Sequence, residues 1–549
     1  MQASACERRS GGRCFMGTYL NPGNSRFERI VKVKYVDKTG MISVINERIG
    51  TTDNLFCISR PRRFGKSFAA QMLCAYYDKT CDSAMLFDTL KIAESATYSS
   101  HLNRYDVIYL DMTNIMAESG ESDIVSYIKR KITQELMAAY PELKTDEAFS
   151  TTLINTVRLT GNKFIMIIDE WDAPIRETPK MQKAYLEFLR MLFKSSGTTA
   201  KIFAAAYMTG ILPIKKDGSQ SAISDFREYS ILDPGPFAEY TGFTEKEVEE
   251  LCCKNHMSFA GAKRWYDGYT LNEIHSVYNP YSVMSAVQNR KFKSYWKKTS
   301  AAEALLTYIN MDQEGLQDDI VKLISGETIE VNTDGFENDL ETFKSKDDVL
   351  TLLIHLGYLA YGEETQVFGE MHEAEEPVGI VRIPNEEIRN EFHNILRKGQ
   401  NSTLVKLMRT SDQLLKDTLA GSQEQVAEGI ARVRNYGYAP DYYNDEQALR
   451  YVIKFAYITC MDQYSRVEEM PTGHGIADVI FLPKRRSQLP AMIVELKWNK
   501  TAEGAIAQIK DRNYPAALKE YGGEIVLVGV NYDVKTKEHT CRIEKFLAL

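Results

Sequence analysis

Four apolar runs punctuate the first half of the chain: Leu55–Ser59, Val107–Asp111, Phe164–Asp169 and Ile202–Met208. Runs such as Phe164–Asp169 are continuous rather than alternating, the pattern of strands buried on both faces of a parallel sheet. Stretches with helical patterning, Phe68–Tyr77, Ser122–Tyr140 and Met181–Lys194, fall between them. From Leu55 to about Leu232 strand and helix therefore alternate, which predicts an α/β domain with helices on both faces of its sheet. A shorter helix, Met41–Arg48, precedes the first strand.

The pattern then changes. Thr244 and Glu247 form a capping box at a helix start. Trp265–Tyr269 and Tyr278–Tyr281 are aromatic turns, read as packing in a lid rather than as chemistry. Asp347–Leu356 predicts a helix, and Gly357–Tyr361 and Val378–Ile383 predict strands around an acidic loop, Glu363 to Glu376. Helix plus hairpin is winged-helix-like, but carboxylates in the wing repel phosphate and argue against a DNA contact there. A helical stretch runs from Pro384 to about Val433. A helix at Asp445–Met461 and strands at Gly475–Leu482 and Ala491–Trp498 close the pattern as a second α/β region. The expected division is an extension over 1–15, an α/β core over 16–235, a helical lid over 236–300, a linker domain over 301–400 and a last domain over 401–549. Met16 opens the better-patterned sequence and is the expected natural start, which would make Met1 to Cys14 either a disordered extension or no part of the natural protein.

Candidate chemistry begins between the first strand and its helix, at Ser59-Arg-Pro-Arg-Arg-Phe-Gly-Lys-Ser67. Strand, tight loop and helix is the setting of a phosphate-binding loop, where unpaired N–H groups and the helix dipole face an anion. Gly65 lets the backbone approach, Lys66 would reach the terminal phosphates, and Ser67 would offer a hydroxyl to Mg²⁺. Arg60 stands where GxxxxGK[ST] has its first glycine. Arg62, Arg63 and Phe64 complete the candidate nucleotide-binding set with Gly65, Lys66, Ser67 and Thr209. The bland alternative is a basic turn on an ordinary helix.

Asp169 and Glu170 sit where the third run leaves the sheet. Asp169 would hold Mg²⁺ through water, and Glu170, pointing the other way, would activate the attacking water. Asp111 ends another strand but lacks the second carboxylate. Thr209, at the end of the fourth run, would sense the terminal phosphate through water, or merely cap a helix.

A second site is expected near the C-terminus. Glu495 and Lys497, two apart on a strand, share a face. A carboxylate inside an apolar strand needs a partner or a metal. Asp478 on the neighbouring strand would join Glu495 around one Mg²⁺, or Mn²⁺, with the Leu496 carbonyl as a further oxygen ligand. Lys497 would orient the metal-bound water and steady phosphate charge. A cross-strand ion pair is the plain alternative. Lys484-Arg-Arg486, between these strands, is read either as a phosphate contact or as a solvated turn, and His474 as idle.

Tyr35-Val-Asp-Lys-Thr39, Arg60-Pro-Arg-Arg-Phe-Gly-Lys-Ser67, Ile168-Asp-Glu-Trp-Asp172, Thr209-Gly210, Trp265-Tyr-Asp-Gly-Tyr269 and Tyr278-Asn-Pro280 occur in this order. In this the chain resembles the prokaryotic AAA-ATPase-like family that carries a C-terminal PD-(D/E)XK nuclease domain, over nearly its whole length from about Met16. A loop rich in arginine and lacking the first glycine is typical of that family. The resemblance implies a P-loop NTPase fold, ATP and Mg²⁺ as cofactors, and the D…ExK arrangement at Asp478, Glu495 and Lys497. Gln508 and Tyr514 match its auxiliary positions, and Glu446 would add a carboxylate. It implies nucleic acid as partner, DNA before RNA, and roles around foreign or mobile DNA.

Composition narrows this picture. With 67 Lys and Arg against 75 Asp and Glu, the net charge of −8 argues against indiscriminate nucleic-acid coating while leaving room for a local basic groove. Nine cysteines without repeated CxxC spacing suit a reducing cytosol rather than a disulfide framework or zinc site. No apolar run is long enough to span a bilayer, and the N-terminus does not read as a secretion signal. The chain is expected to be a cytoplasmic ATPase coupled to a metal-dependent nuclease, with a homo-oligomer in view. The alternative is a nucleotide-switched binding protein whose nuclease-like domain is inactive.

Overall fold

The computed structural model describes residues 15–120, 123–144, 148–194, 196–214, 216–217, 220–221, 223, 225–296, 315–336, 343, 345–364, 378–398, 403–436, 443–472, 475–484, 489–515, 518 and 523–548. The N-terminal extension, His474, Arg485 and Arg486, and most of the acidic loop after Glu363 lie outside the described residues. Two compact units emerge: Met1–Trp296 with Glu330–Glu387, and Lys297–Ile329 with Ile388–Leu549.

The first unit is built on a sheet of five parallel strands: β1 Leu55–Ser59, β2 Asp106–Asp111, β3 Phe164–Asp169, β4 Phe203–Gly210 and β5 Arg227–Tyr229. Their order is β2-β3-β4-β1-β5. The expected two-sided burial is present residue by residue. Cys57, Ile108, Leu110, Met166, Ile168 and Met208 face one core, whereas Phe56, Ile58, Val107, Ile165, Ile167 and Tyr207 face the other. The fourth strand starts one residue later than its apolar run, because Ile202 closes the helix Ser196–Ile202. β4 lies between β1 and β3, so the loop after β1, the acid pair after β3 and Thr209-Gly210 meet at one sheet edge. Register fixes this: Ser59 pairs with Gly210, Ile168 with Met208, and Asp111 with Asp169.

The capping box forms as expected, with Thr244 accepting from the Glu247 N–H and the Glu247 carboxylate accepting from the Thr244 N–H. The aromatic turns are packing. Tyr266, Tyr269 and Tyr278 are buried, and the Tyr269 hydroxyl donates to the Gly357 carbonyl. Lys346–Leu356 is a helix, and Ala360–Glu364 pairs antiparallel with Val378–Arg382, giving the expected helix and hairpin.

Glu387, near the start of helix Glu386–Lys398, is a buried carboxylate that accepts from the Tyr295 and Trp296 N–H groups. Burial pushes its pKa up to about 7, against the pull of those N–H groups and of the Arg63 charge. The folded chain then binds a proton here that the unfolded chain releases near pH 4.5. Stability from this group is greatest below that pH and falls as pH rises through about 7, by at most about 3 kcal/mol. Glu387→Gln is expected to remove that slope. Its urea unfolding midpoint should gain on wild type between pH 5 and pH 8, and an unchanged gap would overturn the assignment.

The second unit carries β6 Tyr464–Thr472, β7 Gly475–Pro483, β8 Ala491–Trp498, β9 Gly523–Asp533 and β10 Glu538–Ala548, in that spatial order. Only the β8–β9 pair is parallel. Its crossover contains helix α1, Ala502–Asp511. A side chain at Gly529 of β9 would strike the Ala502 carbonyl, with its Cβ 2.4 Å away. Glycine there lets α1 settle close to the sheet, with Ile506 and Ile509 in the core beside Ile493 and Leu527. Helix α2, Glu446–Ala456, opens on Asp445, which caps it through the Ala448 N–H.

Candidate active sites

The first site grows out of the loop between β1 and helix Lys66–Tyr77. Gly65 has φ of 90°, a left-handed conformation that glycine adopts without strain. Lys66 is buried, and its ammonium donates to the carbonyls of Arg60 and Pro61, both at 2.8 Å. Burial lowers its pKa to about 8, opposed by the charges of Asp172, Glu170 and Asp169. Ser67 hydrogen-bonds Asp169, whose pKa is raised by burial and held down by bonds from Thr209 and Ser67. The structure thus brings Lys66, Ser67, Asp169, Glu170 and Thr209 to one place. The Ser67 and Asp169 oxygens are hard donors of the kind Mg²⁺ takes.

Thr209 is fully buried. Its hydroxyl donates to Asp169 Oδ1 at 2.5 Å and accepts from the Glu170 N–H at 3.2 Å. That engages the hydroxyl in orienting the acid pair, a role the expectation of a phosphate sensor did not include. Glu170 has φ of 54°, an uncommon state for a non-glycine residue, costing of order 1–3 kcal/mol. Its Oε2 accepts from the Thr113 hydroxyl at 2.6 Å and lies 3.9 Å from Arg176. Asp111 is resolved as a helix cap, accepting from the Asn114 N–H.

The arginines of the loop divide by role. Arg60 is fully buried and donates to Thr241, the Ser59 carbonyl and the Tyr229 carbonyl, so it is a structural brace rather than a phosphate contact. Arg63 donates to the Tyr295 carbonyl and lies over the Tyr281 ring. Phe64 is buried against Tyr269, which leaves its backbone for any phosphate contact. Arg62 is half-exposed.

Sequence reasoning missed Asp172, Arg176 and Thr113. Asp172 accepts from the Ile211 and Leu212 N–H groups and from Arg176, clamping the segment after β4 to the acid pair. A Cβ on Gly210 would meet Trp171 Nε1 at 2.6 Å, which ties Thr209-Gly210 to Trp171-Asp172 as one packing unit. The nearness of Asp172 to Asp169 in the sequence was the available signal.

The second site lies on β7 and β8. Pairing is regular at Val479–Val494 and stops there. The next residues in register are Asp478 and Glu495. Glu495 is 2 % exposed, and its Oε1 accepts from Lys497 at 3.2 Å and from Gln508. Its Oε2 is buried without a partner. Burial pushes its pKa up to about 7, reinforced by the Asp478 charge and opposed by Lys497. Asp478 Oδ2 accepts from the Leu496 N–H at 2.8 Å, and the Leu496 carbonyl accepts from Lys497 at 2.9 Å. Gln508 also reaches Tyr514, whose hydroxyl donates to the Ile476 carbonyl. Asp478, Glu495, Leu496, Lys497 and Gln508 are thus assembled. An unpartnered buried carboxylate oxygen beside a second carboxylate and a carbonyl fits a hard divalent cation. Among the described residues no three His, Cys, Asp or Glu side chains are arranged to hold a metal, so such an ion would have only these two carboxylates from that set.

Glu446 is not brought in. It is half-exposed in the first turn of α2, and among the described residues it forms no metal-holding group with Asp478 and Glu495. One turn later the same helix delivers Arg450, which donates to Asp478 Oδ1 at 2.6 Å and to Glu469 Oε1 at 2.6 Å. Neither Arg450 nor Glu469 was singled out from the sequence.

Comparison with known proteins follows the same two-part division. Residues 22–219 match the family described as "Predicted AAA-ATPase", and residues 451–541 match the PD-(D/E)XK nuclease superfamily. An uncharacterized protein in the vnfD 5′ region of Azotobacter chroococcum is 22 % identical over 517 residues, covering 91 % of this chain and 92 % of that relative. Among solved structures, a Walker-type ATPase of Pyrococcus abyssi is 13 % identical over 64 % of this chain and 94 % of its own, with a TM-score of 0.31. The ORC1 protein of Aeropyrum pernix, solved in complex with DNA, is 10 % identical over 70 % and 97 %, with a TM-score of 0.25. No described helix is long and apolar enough to cross a membrane.

Proposed function

Because the chain joins an AAA-ATPase-like domain to a domain of the PD-(D/E)XK nuclease superfamily, we propose that it is an ATPase coupled to a metal-dependent nuclease acting on nucleic acid, DNA before RNA. In the first unit, Lys66 would meet the terminal phosphates, Ser67 and Asp169 would hold Mg²⁺, and Glu170 would take the proton of the attacking water. In the second, Asp478, Glu495 and the Leu496 carbonyl would hold one Mg²⁺ or Mn²⁺. Once bound, the ion supplies a water of lowered pKa and neutralises phosphate charge. Lys497 would steady the developing negative charge, and Gln508 would hold the Glu495 carboxylate in place. Nucleotide state would gate cleavage or assemble a homo-oligomer around foreign or mobile DNA in the cytoplasm.

The observation that carries the nuclease reading is the Glu495 oxygen, buried without a partner beside Asp478. The Arg450–Asp478 pair favours a second reading, a nucleotide-switched regulator with an inactive nuclease-like domain. One experiment separates them. Full-length wild type, Lys66→Ala and Asp478→Ala are compared on single- and double-stranded DNA and RNA with Mn²⁺ or Mg²⁺, with and without ATP. Cleavage lost in Asp478→Ala and insensitive to ATP in Lys66→Ala is the expected result. Wild type and Asp478→Ala alike on every substrate would leave only the regulator.

A further inference from the structure

Three carboxylates lie in a row across the second sheet. The register pairs Glu468 with Val479 and Met470 with Ala477, which sets Glu469 opposite Asp478. The β7–β8 register, extended by one residue, sets Asp478 opposite Glu495. Glu469 has φ of 51° and is absent from the paired positions, so β6 is locally irregular at that point. The charges on this row are balanced unevenly. Glu495 has Lys497 and Gln508 on one oxygen and nothing on the other. Asp478 and Glu469 share the guanidinium of Arg450, which grips one oxygen of each through separate nitrogens. Both oxygens of Asp478 are thereby engaged, one by Arg450 and one by the Leu496 N–H.

We propose that Arg450 is a built-in latch on the ion site: it holds Asp478 against the divalent cation until a nucleic-acid phosphate draws the guanidinium away. This rests on the nuclease reading of Asp478 and Glu495. Its physical basis is competition for one carboxylate. A forked guanidinium with two charge-assisted bonds is a strong rival to a hydrated ion. Phosphate accepts the same fork, so a polyanion can take the guanidinium over and release Asp478. Glu469 makes the latch releasable, because it is 66 % exposed and its bond to Arg450 can open into water. The ion would then load fully only when substrate is present.

The test is Mn²⁺ binding to the full chain, followed by electron paramagnetic resonance of free Mn²⁺ without nucleic acid. Wild type is expected to bind weakly, and Arg450→Met to bind at least about tenfold more tightly. Arg450→Lys keeps the charge but loses the fork, and is expected to behave like the Met variant. Wild-type affinity in Arg450→Lys would reduce the effect to a general field and overturn the latch. Equal affinity in wild type and Arg450→Met would overturn it outright. Glu469→Gln weakens the grip from an exposed position, so it guards against misfolding of the Arg450 variants and is expected to bind Mn²⁺ with intermediate affinity. A non-cleavable phosphorothioate oligonucleotide should tighten wild type to the level of Arg450→Met without it. Glu495→Gln tests the underlying site separately: if it binds Mn²⁺ as wild type does, the ion site itself is wrong, whatever the Arg450 variants do.

Discussion

Glu170→Gln is expected to lower ATP hydrolysis by about 10²–10⁴-fold while leaving ATP binding within a few-fold of wild type. The substitution keeps the size and the hydrogen-bonding capacity of the side chain. It removes the basic oxygen that would take the proton of the attacking water. The surroundings indicate why this carboxylate and not its neighbour would serve as base. Asp169 is buried and hydrogen-bonded by Thr209 and Ser67, so its oxygens are already engaged. Glu170 is half-exposed, carried outward by its left-handed backbone and steered by Thr113 and Arg176. Lys66→Ala should behave differently and lose binding together with hydrolysis, because Lys66 would meet the phosphates in ground and transition states alike. Phosphate release under saturating ATP, alongside equilibrium binding of a labelled nucleotide, reads both quantities. Hydrolysis by Glu170→Gln within threefold of wild type would remove Glu170 from the base role.

The parts of these sites that could be read from the sequence are those carried by short-range pattern. Continuous apolar runs locate β1 to β4, and residues at strand ends fall at the sheet edge without further information. Lys66, Ser67, Asp169 and Thr209 needed only that rule to be grouped. The missed residues act through long-range geometry. Thr113 lies 57 positions from Glu170, and Arg450 lies 28 from Asp478. Neither spacing has a local signature, and an arginine one turn into an amphipathic helix resembles any solvated arginine. Arg60, which stands where the usual loop has its first glycine, is the converse case. A loop rich in arginine looks like a phosphate grip, yet this guanidinium is fully buried and braces the loop against Thr241 and Tyr229. Burial, which the sequence does not reveal for an arginine in a loop, decides between the two roles.

Glu495→Gln is expected to reduce phosphodiester cleavage by at least about 100-fold and to weaken Mn²⁺ binding in parallel. Residues one layer removed from an ion commonly cost 10–100-fold when changed, and a direct ligand costs more. Glutamine is the informative replacement because the two demands on this side chain then separate. As a packed strand residue between Lys497 and Gln508, position 495 needs shape and one acceptor oxygen, which glutamine supplies. As an ion ligand it needs the second, negatively charged oxygen, the atom now buried without a partner. Burial already holds the Glu495 pKa near 7, so ionising it below that pH is unfavourable unless a cation compensates, and at pH 8 the wild type carries a costly buried charge that glutamine lacks. The variant is therefore expected to unfold within a few degrees of wild type at pH 8 without metal. Added Mn²⁺ should raise the unfolding midpoint of wild type and leave that of the variant unchanged, as selective binding to the folded state requires. A variant that still cleaves, or that gains stability from Mn²⁺ as wild type does, would show that the second Glu495 oxygen holds no ion and would remove Glu495 from the ligand role.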